Sequence, residues 1–253
     1  MLRLQRVIPP WVLTIVIVAL VLLLFQLAVG PVLDPLWFAK PTDVGTVLAT
    51  WFADGFIYPH LAVTFSEIII GFALGVGVAI PLAIAFSSNA LFARVATPFV
   101  IAAYSLPKVA LIPLFILTLG VGLEAKIAQV MLNVVFIVFL NLYTGLTSLK
   151  PQLRDSLAVM GATPWEIMLK VRLPSALAWL LLGMRISARY ALAGAVIVEL
   201  LSSNRGLGFL IAKSTAQLEP AQLFATLVVL AILGFSMTSA LQLLENRLLS
   251  WRV

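Results

Sequence analysis

Six stretches of this chain run for about 20 residues or more with almost no charge, at 11–33, 61–87, 95–120, 126–146, 175–201 and 221–245. A helix rises 1.5 Å per residue, so about 20 apolar residues cover the roughly 30 Å hydrocarbon core of a bilayer. The expected fold is therefore all-α, a polytopic membrane helical bundle of about six transmembrane helices, with residues 1–253 forming one transmembrane domain. Composition agrees: 62% of residues are hydrophobic and 10% charged, against about 45–50% and about 25% in soluble domains. A soluble enzyme is excluded.

The chain has no cysteine and a single histidine, His60, at a loop edge before the second stretch. Disulfides, thiolate metal sites and cysteine nucleophiles are thus removed, and one histidine cannot assemble a metal or catalytic centre. No helix face carries paired carboxylates, so neither catalytic residues nor a resident metal are expected. The first stretch follows Arg3 and Arg6 in a short cytoplasmic N-terminus, 1–10. A signal peptide shares that basic start, but its apolar region is about 7–15 residues long. This one is longer, with Pro31 where a mature chain would begin, and it reads as an uncleaved anchor.

The formal charge of +6 would suggest nucleic acid in a soluble protein. Here its placement fits the positive-inside rule instead. With the N-terminus in the cytoplasm, the inner segments hold Arg3, Arg6, Arg94, Lys150, Arg154, Lys170, Arg172, Arg247 and Arg252, whereas Lys40, Lys126, Arg205 and Lys213 lie outside. The topology is N-in and C-in. Between the first two spans, Pro41-Thr42-Asp43 starts a segment, 41–56, in which Val44, Val47, Leu48, Trp51 and Phe52 recur at helical spacing. It is too short to span and reads as an amphipathic helix on the outer surface. Residues 202–219 form an outer loop.

Several ionisable residues remain inside the membrane, where each costs roughly 2.5–3.5 kcal/mol on insertion scales and normally faces a partner or an aqueous path. Lys108 lies between Pro107 and Pro113, which break the third span near 107–113. Irregular backbone at that depth lines a cavity or is buried in protein, so Lys108 faces the path or pairs with a carboxylate. Arg185 and Arg189 share one face of the fifth span and, with Pro107, Lys108, Pro113, Glu67 and Glu199, are candidates for the translocation path. Arg189 either lines the path and favours an anionic solute or pairs with Glu199 or Glu67. The two glutamates lie at comparable depth near the outer side, as partners for basic residues, as a gate or as contacts for an outer protein. Gly71 and Gly75 form a GxxxG pair that marks close helix packing, while Gln129, Asn133 and Asn141 offer interhelical hydrogen bonds.

The inner loop 148–174 carries more order than a connector needs. Pro151 opens a short helix that Gly161 closes. Thr163-Pro164-Trp165-Glu166 then combines an N-cap threonine, a proline at the first helical position and a glutamate three residues on, which is a capping box. Leu173-Pro174 is expected to end this second helix, because a residue before proline avoids helical geometry.

These residues carry a resemblance. Asp155-Ser156-Leu157-Ala158, Met160-Gly161-Ala162-Thr163 and Val171-Arg172-Leu173-Pro174 resemble the EAA motif of binding-protein-dependent ABC importer permeases, with Asp155, Ser156 and Leu157 where glutamate and two alanines are usual. The run Ser105 to Phe115, Gly183-Met184-Arg185, and Glu199 followed by Arg205-Gly206-Leu207-Gly208-Phe209-Leu210 resemble the nitrate, taurine, sulfonate and thiamine-precursor branch.

The resemblance implies a type I ABC importer permease fold in the bacterial inner membrane. It also implies that Asp155, Ala158, Gly161, Ala162, Thr163, Pro164, Glu166, Leu173 and Pro174 couple to a cytoplasmic ATP-binding subunit dimer, and that Arg185 has a structural role. An extracytoplasmic binding protein would deliver a sulfonate, taurine, nitrate, bicarbonate or a heterocyclic vitamin precursor, and a second permease copy, most simply in a homodimer, would complete the pore. No Gly-x-x-x-x-Gly-Lys-Ser/Thr occurs, so ATP and Mg are expected on the partner and no cofactor on this chain. The alternative is an ATP-independent secondary transporter or channel, which leaves the capped loop unexplained and would favour matching broken helices in both halves.

Overall fold

A computed structural model describes residues 9–149 and 151–249; Arg3, Arg6, Lys150 and Arg252, used above for orientation, lie outside the described residues. In chain order the helices are α1 (Pro10–Ala28), α2 (Pro41–Ala53), α3 (Ile57–Ser88), α4 (Ala90–Ser105), α5 (Ile112–Leu119), α6 (Leu123–Thr147), α7 (Pro151–Val159), α8 (Pro164–Ile167), α9 (Leu173–Ser202), α10 (Leu207–Ala216) and α11 (Pro220–Leu248). Among the described residues, five spans are long and apolar enough to cross a membrane, or six if the bent α4–α5 pair counts as one.

The core is built around α6, which packs against α3 on one side and α9 on the other. Glycine permits both approaches. A Cβ at Gly71 would lie 2.6 Å from the Val130 Cβ, and one at Gly75 would lie 2.7 Å from the Val134 Cβ. The GxxxG pair therefore seats α6 of the same chain. Around this centre sit α11 and the short α10, both against α9. Helix α1 stands apart, exposing most of its residues, and touches the rest through a Phe25, Phe38 and Phe224 cluster with ring centroids 6.1–6.5 Å apart. Helix α2 starts with Pro41 in its first turn and buries Trp51.

The third span begins earlier than its apolar run suggests, because the Asn89 side chain accepts from the N–H groups of Leu91 (3.0 Å) and Phe92 (3.1 Å) and so caps α4. It breaks where Leu106 turns extended ahead of Pro107, and a 3₁₀ turn, Lys108–Leu111, leads into α5 at a bend of 85°. Pro113 sits in the first turn of α5, where its missing N–H is harmless.

Three expectations are corrected. Leu173-Pro174 does not end the loop's second helix. A π-helical segment, Met168–Arg172, joins α8 to α9, and the Leu173 N–H reaches back five residues to Met168 O. Widening the turn just before Pro174 accommodates a residue that has no N–H to give and whose ring would press on the preceding turn. Lys126 is not an outer-loop charge but lies buried in the first turns of α6. Asn141 donates to Ile137 O in its own helix at 2.8 Å rather than across to another. Besides these, the outer segment 202–219 contains the helix α10.

Candidate functional site

The loop after α6 has the geometry its sequence implies. Gly161 adopts φ +88°, the left-handed conformation that closes α7, and nothing lies within 4 Å of where a Cβ would stand. In α8 the capping box is complete: the Glu166 N–H donates to Thr163 Oγ1 at 3.3 Å, and the Thr163 N–H donates to Glu166 Oε2 at 3.0 Å. Lys170 adds an ion pair to Glu166 at 3.0 Å. The Thr163 N–H, with Lys170 and the Thr163 hydroxyl, holds this exposed carboxyl, which lies outside the membrane, down at about 2. Arg172 donates to Ser87 O at the end of α3 (3.2 Å), tying the π segment to the bundle. Pro164 occupies the first turn of α8, and Leu173 and Pro174 open α9. Ala162 lies in the link between α7 and α8, its N–H bonded to Leu157 O at 3.0 Å. Asp155 and Ala158 belong to α7, and their side chains lie outside the described residues.

At the opposite end lies a buried polar cluster that sequence reasoning saw only in part. Glu67 on α3 accepts from Lys126 on α6 at 2.7 Å, and Lys126 donates to Ser203 Oγ at 2.8 Å. Glu199 on α9 accepts from the Thr64 hydroxyl at 2.7 Å and from the Gly208 N–H at 2.6 Å. The Leu207 N–H donates to Thr64 Oγ1 (2.9 Å) and the Gly206 N–H to His60 Nδ1 (3.2 Å). The first N–H groups of α10, which no intrahelical carbonyl can take, are thus satisfied by side chains from two other helices. Gly206, at φ +118°, admits no side chain, since a Cβ there would fall on the Glu199 carboxyl. Glu67 and Glu199 therefore fasten the outer helix. His60, far from being a loop residue, is buried in this clamp and stacks on Phe209 at 5.9 Å.

The remaining cations separate. Arg185 pairs with Glu245 on α11 at 3.1 Å. Arg189 is exposed on α9, and both acids weighed as its partners are engaged elsewhere. Lys108, carried past the Pro107 break, donates to Tyr104 O at 3.2 Å and lies 4.5 Å from the Tyr104 ring centroid and 5.3 Å from that of Phe136. Among the described residues no carboxylate pairs with it. It borders a cavity of about 270 Å³ with Tyr104, Asn133, Asn141 and Tyr190.

Residues 71–250 match the family described as "Binding-protein-dependent transport system inner membrane component". The chain belongs to this family. Among its relatives, the Formylaminopyrimidine transport permease protein ThiX of Halalkalibacterium halodurans is 32% identical, the match covering 84% of this chain and 85% of that protein. The Putative aliphatic sulfonates transport permease protein SsuC of Bacillus subtilis is 30% identical, over 84% and 78% respectively. The Taurine transport system permease protein TauC of Escherichia coli is 27% identical, over 87% and 82%. Inward-facing structures of the MetNI methionine ABC transporter share the fold: in one, a chain aligns with a TM-score of 0.61 at 23% identity, over 76% of this chain and 94% of that one. This binding-protein-dependent permease is a multi-pass inner-membrane subunit of an ABC importer, built on the type I fold.

Proposed function

We propose that this permease forms half of the membrane path of an ATP-driven importer for a small polar or anionic solute, and that loop 151–173 receives the motion of an ATP-hydrolysing partner. The observation that carries this reading is the apolar surface on that loop. Val159 and Met160 are 89% and 81% exposed and Trp165 is 62% exposed, on the side of the bundle that the basic residues assign to the cytoplasm. Apolar side chains presented together to water mark a protein contact.

The open space at Gly161 leaves room for a partner surface, the capping box stiffens α8, and the π segment passes α8 directly into α9, which lines the core. ATP and Mg belong to that partner, because this chain has no phosphate-binding loop. The chain itself acts as a conduit, not a catalyst. One such loop per chain and a pair of ATPase subunits imply two permease copies, most simply a homodimer, and a binding protein delivers the solute at the outer face, where α10 is clamped. Relatives named for formylaminopyrimidine, aliphatic sulfonates and taurine support a solute of similar size.

The test is co-purification with the ATPase. Met160→Asp and Trp165→Asp should each reduce ATPase recovery severalfold while the permease stays monodisperse. Undiminished recovery in both rejects this surface as the docking site.

A further inference from the structure

We propose that the cavity between the broken third span, α6 and α9 is a binding subsite for a small organic anion with a single charged head, sulfonate or carboxylate, and that Lys108 selects it. The proposal rests on the reading of this chain as a solute path.

The break after Leu106 turns the chain by 85° and brings Lys108 beside α6. An ammonium has three N–H donors, and Lys108 uses one, on Tyr104 O. The acids that could neutralise a cation within the bundle are committed: Glu67 to Lys126, Glu199 to Thr64 and Gly208, and Glu245 to Arg185. Among the described residues no carboxylate lines the cavity. A cation placed in an apolar layer without a counterion attracts one from the solute.

The rest of the lining suits the remainder of such a solute. Tyr104 and Tyr190 add aromatic and hydroxyl groups to the lining, and Ile137 and Ile186 add apolar surface. Asn133 gives one amide N–H to Tyr190 O at 3.2 Å and Asn141 gives one to Ile137 O, so each keeps a second donor. A volume of about 270 Å³ falls just below the roughly 300–1,000 Å³ of pockets for drug-sized ligands. It has room for a small solute such as a short alkyl sulfonate.

The absence of native cysteine permits a direct probe. Ile186→Cys, in the permease–ATPase complex in nanodiscs, is labelled with 2-sulfonatoethyl methanethiosulfonate and with its cationic trimethylammonioethyl counterpart, each rate normalised to that with a free thiol. The sulfonate reagent should react about tenfold faster, and millimolar ethanesulfonate should slow it. Lys108→Gln should bring the ratio within about twofold of unity, and Lys108→Arg should preserve it. A ratio unchanged by Lys108→Gln, a faster cationic reagent, or no labelling by either overturns the proposal. ATP-driven uptake by the wild-type complex is measured in parallel. Its absence alongside an intact labelling preference counts against the transport reading alone, and intact uptake with no Lys108-dependent preference counts against the anion subsite alone.

Discussion

Removing the amine of Lys126 tests how the outer end of the bundle is held. Its Nζ lies 2.7 Å from Glu67 Oε1 and 2.8 Å from Ser203 Oγ, with Glu67 fully buried. Taken as point charges at an effective dielectric of 20, a pair 2.7 Å apart attracts by about 6 kcal/mol. The desolvation of both groups offsets part of that. Deleting one partner of a buried pair generally costs about 3–5 kcal/mol, because the other charge is left without compensation.

Lys126→Met should therefore destabilise the permease by about 3 kcal/mol or more in reversible unfolding from mixed detergent micelles. Lys126→Met combined with Glu67→Leu should recover most of the loss, since an apolar pair of similar volume fills the same space. The local consequence follows from connectivity: Lys126 also holds Ser203, three residues before the capped start of α10. Hydrogen exchange at Gly206, Leu207 and Gly208 should accelerate in Lys126→Met ahead of exchange in α6. A loss under about 0.5 kcal/mol, or additive losses in the double variant, would show that the pair does not hold this end of the bundle.

Other consequences are as specific. Gly75→Ala should cost about 1–3 kcal/mol, because its Cβ would stand 2.7 Å from that of Val134, and Val134→Ala should restore part of it in the same unfolding assay. The Arg185–Glu245 pair is partly exposed, so a double-mutant cycle should give a coupling near 1 kcal/mol or less. Gly161→Val should strain the left-handed turn by about 1–2 kcal/mol without a steric clash, lowering ATPase recovery while the unfolding midpoint of the bundle barely moves. Glu166 is held at about 2, below its ordinary 4.5, so the stabilisation it lends the loop is complete above that ordinary value and drains away as pH falls toward 2. Base-corrected amide exchange at Thr163 should rise over that window in the wild type and lose its pH dependence in Glu166→Gln.

The spans, the break at Pro107 and the capped loop were legible because each follows from local chemistry: a long apolar run, a proline that restricts its predecessor, a threonine three residues before a glutamate. The GxxxG pair announced close packing without naming α6 as its partner, since partner choice depends on tertiary arrangement. The clamp on α10 escaped for the same reason. Its members, His60, Thr64, Glu67, Lys126 and Glu199, come from three helices, and only their convergence gives them a role. A trace of it was present in Gly206 and Gly208, whose spacing belongs to the resembled branch. Leu173-Pro174 misled because a local rule was applied where a π turn absorbs the constraint. Asn133 and Asn141 read as helix glue, and the structure places both on the cavity beside Lys108.

In the proposed mechanism, force enters through the loop and drives solute across the bundle. Its most direct test is uptake into liposomes by the permease reconstituted with its ATPase and binding protein, with wild type compared to Trp165→Asp. Accumulation should need ATP hydrolysis in the wild type and collapse in Trp165→Asp, with the bundle still folded. Uptake that proceeds without ATP, as in a channel or secondary transporter, or full ATP-driven uptake in Trp165→Asp, would overturn that mechanism.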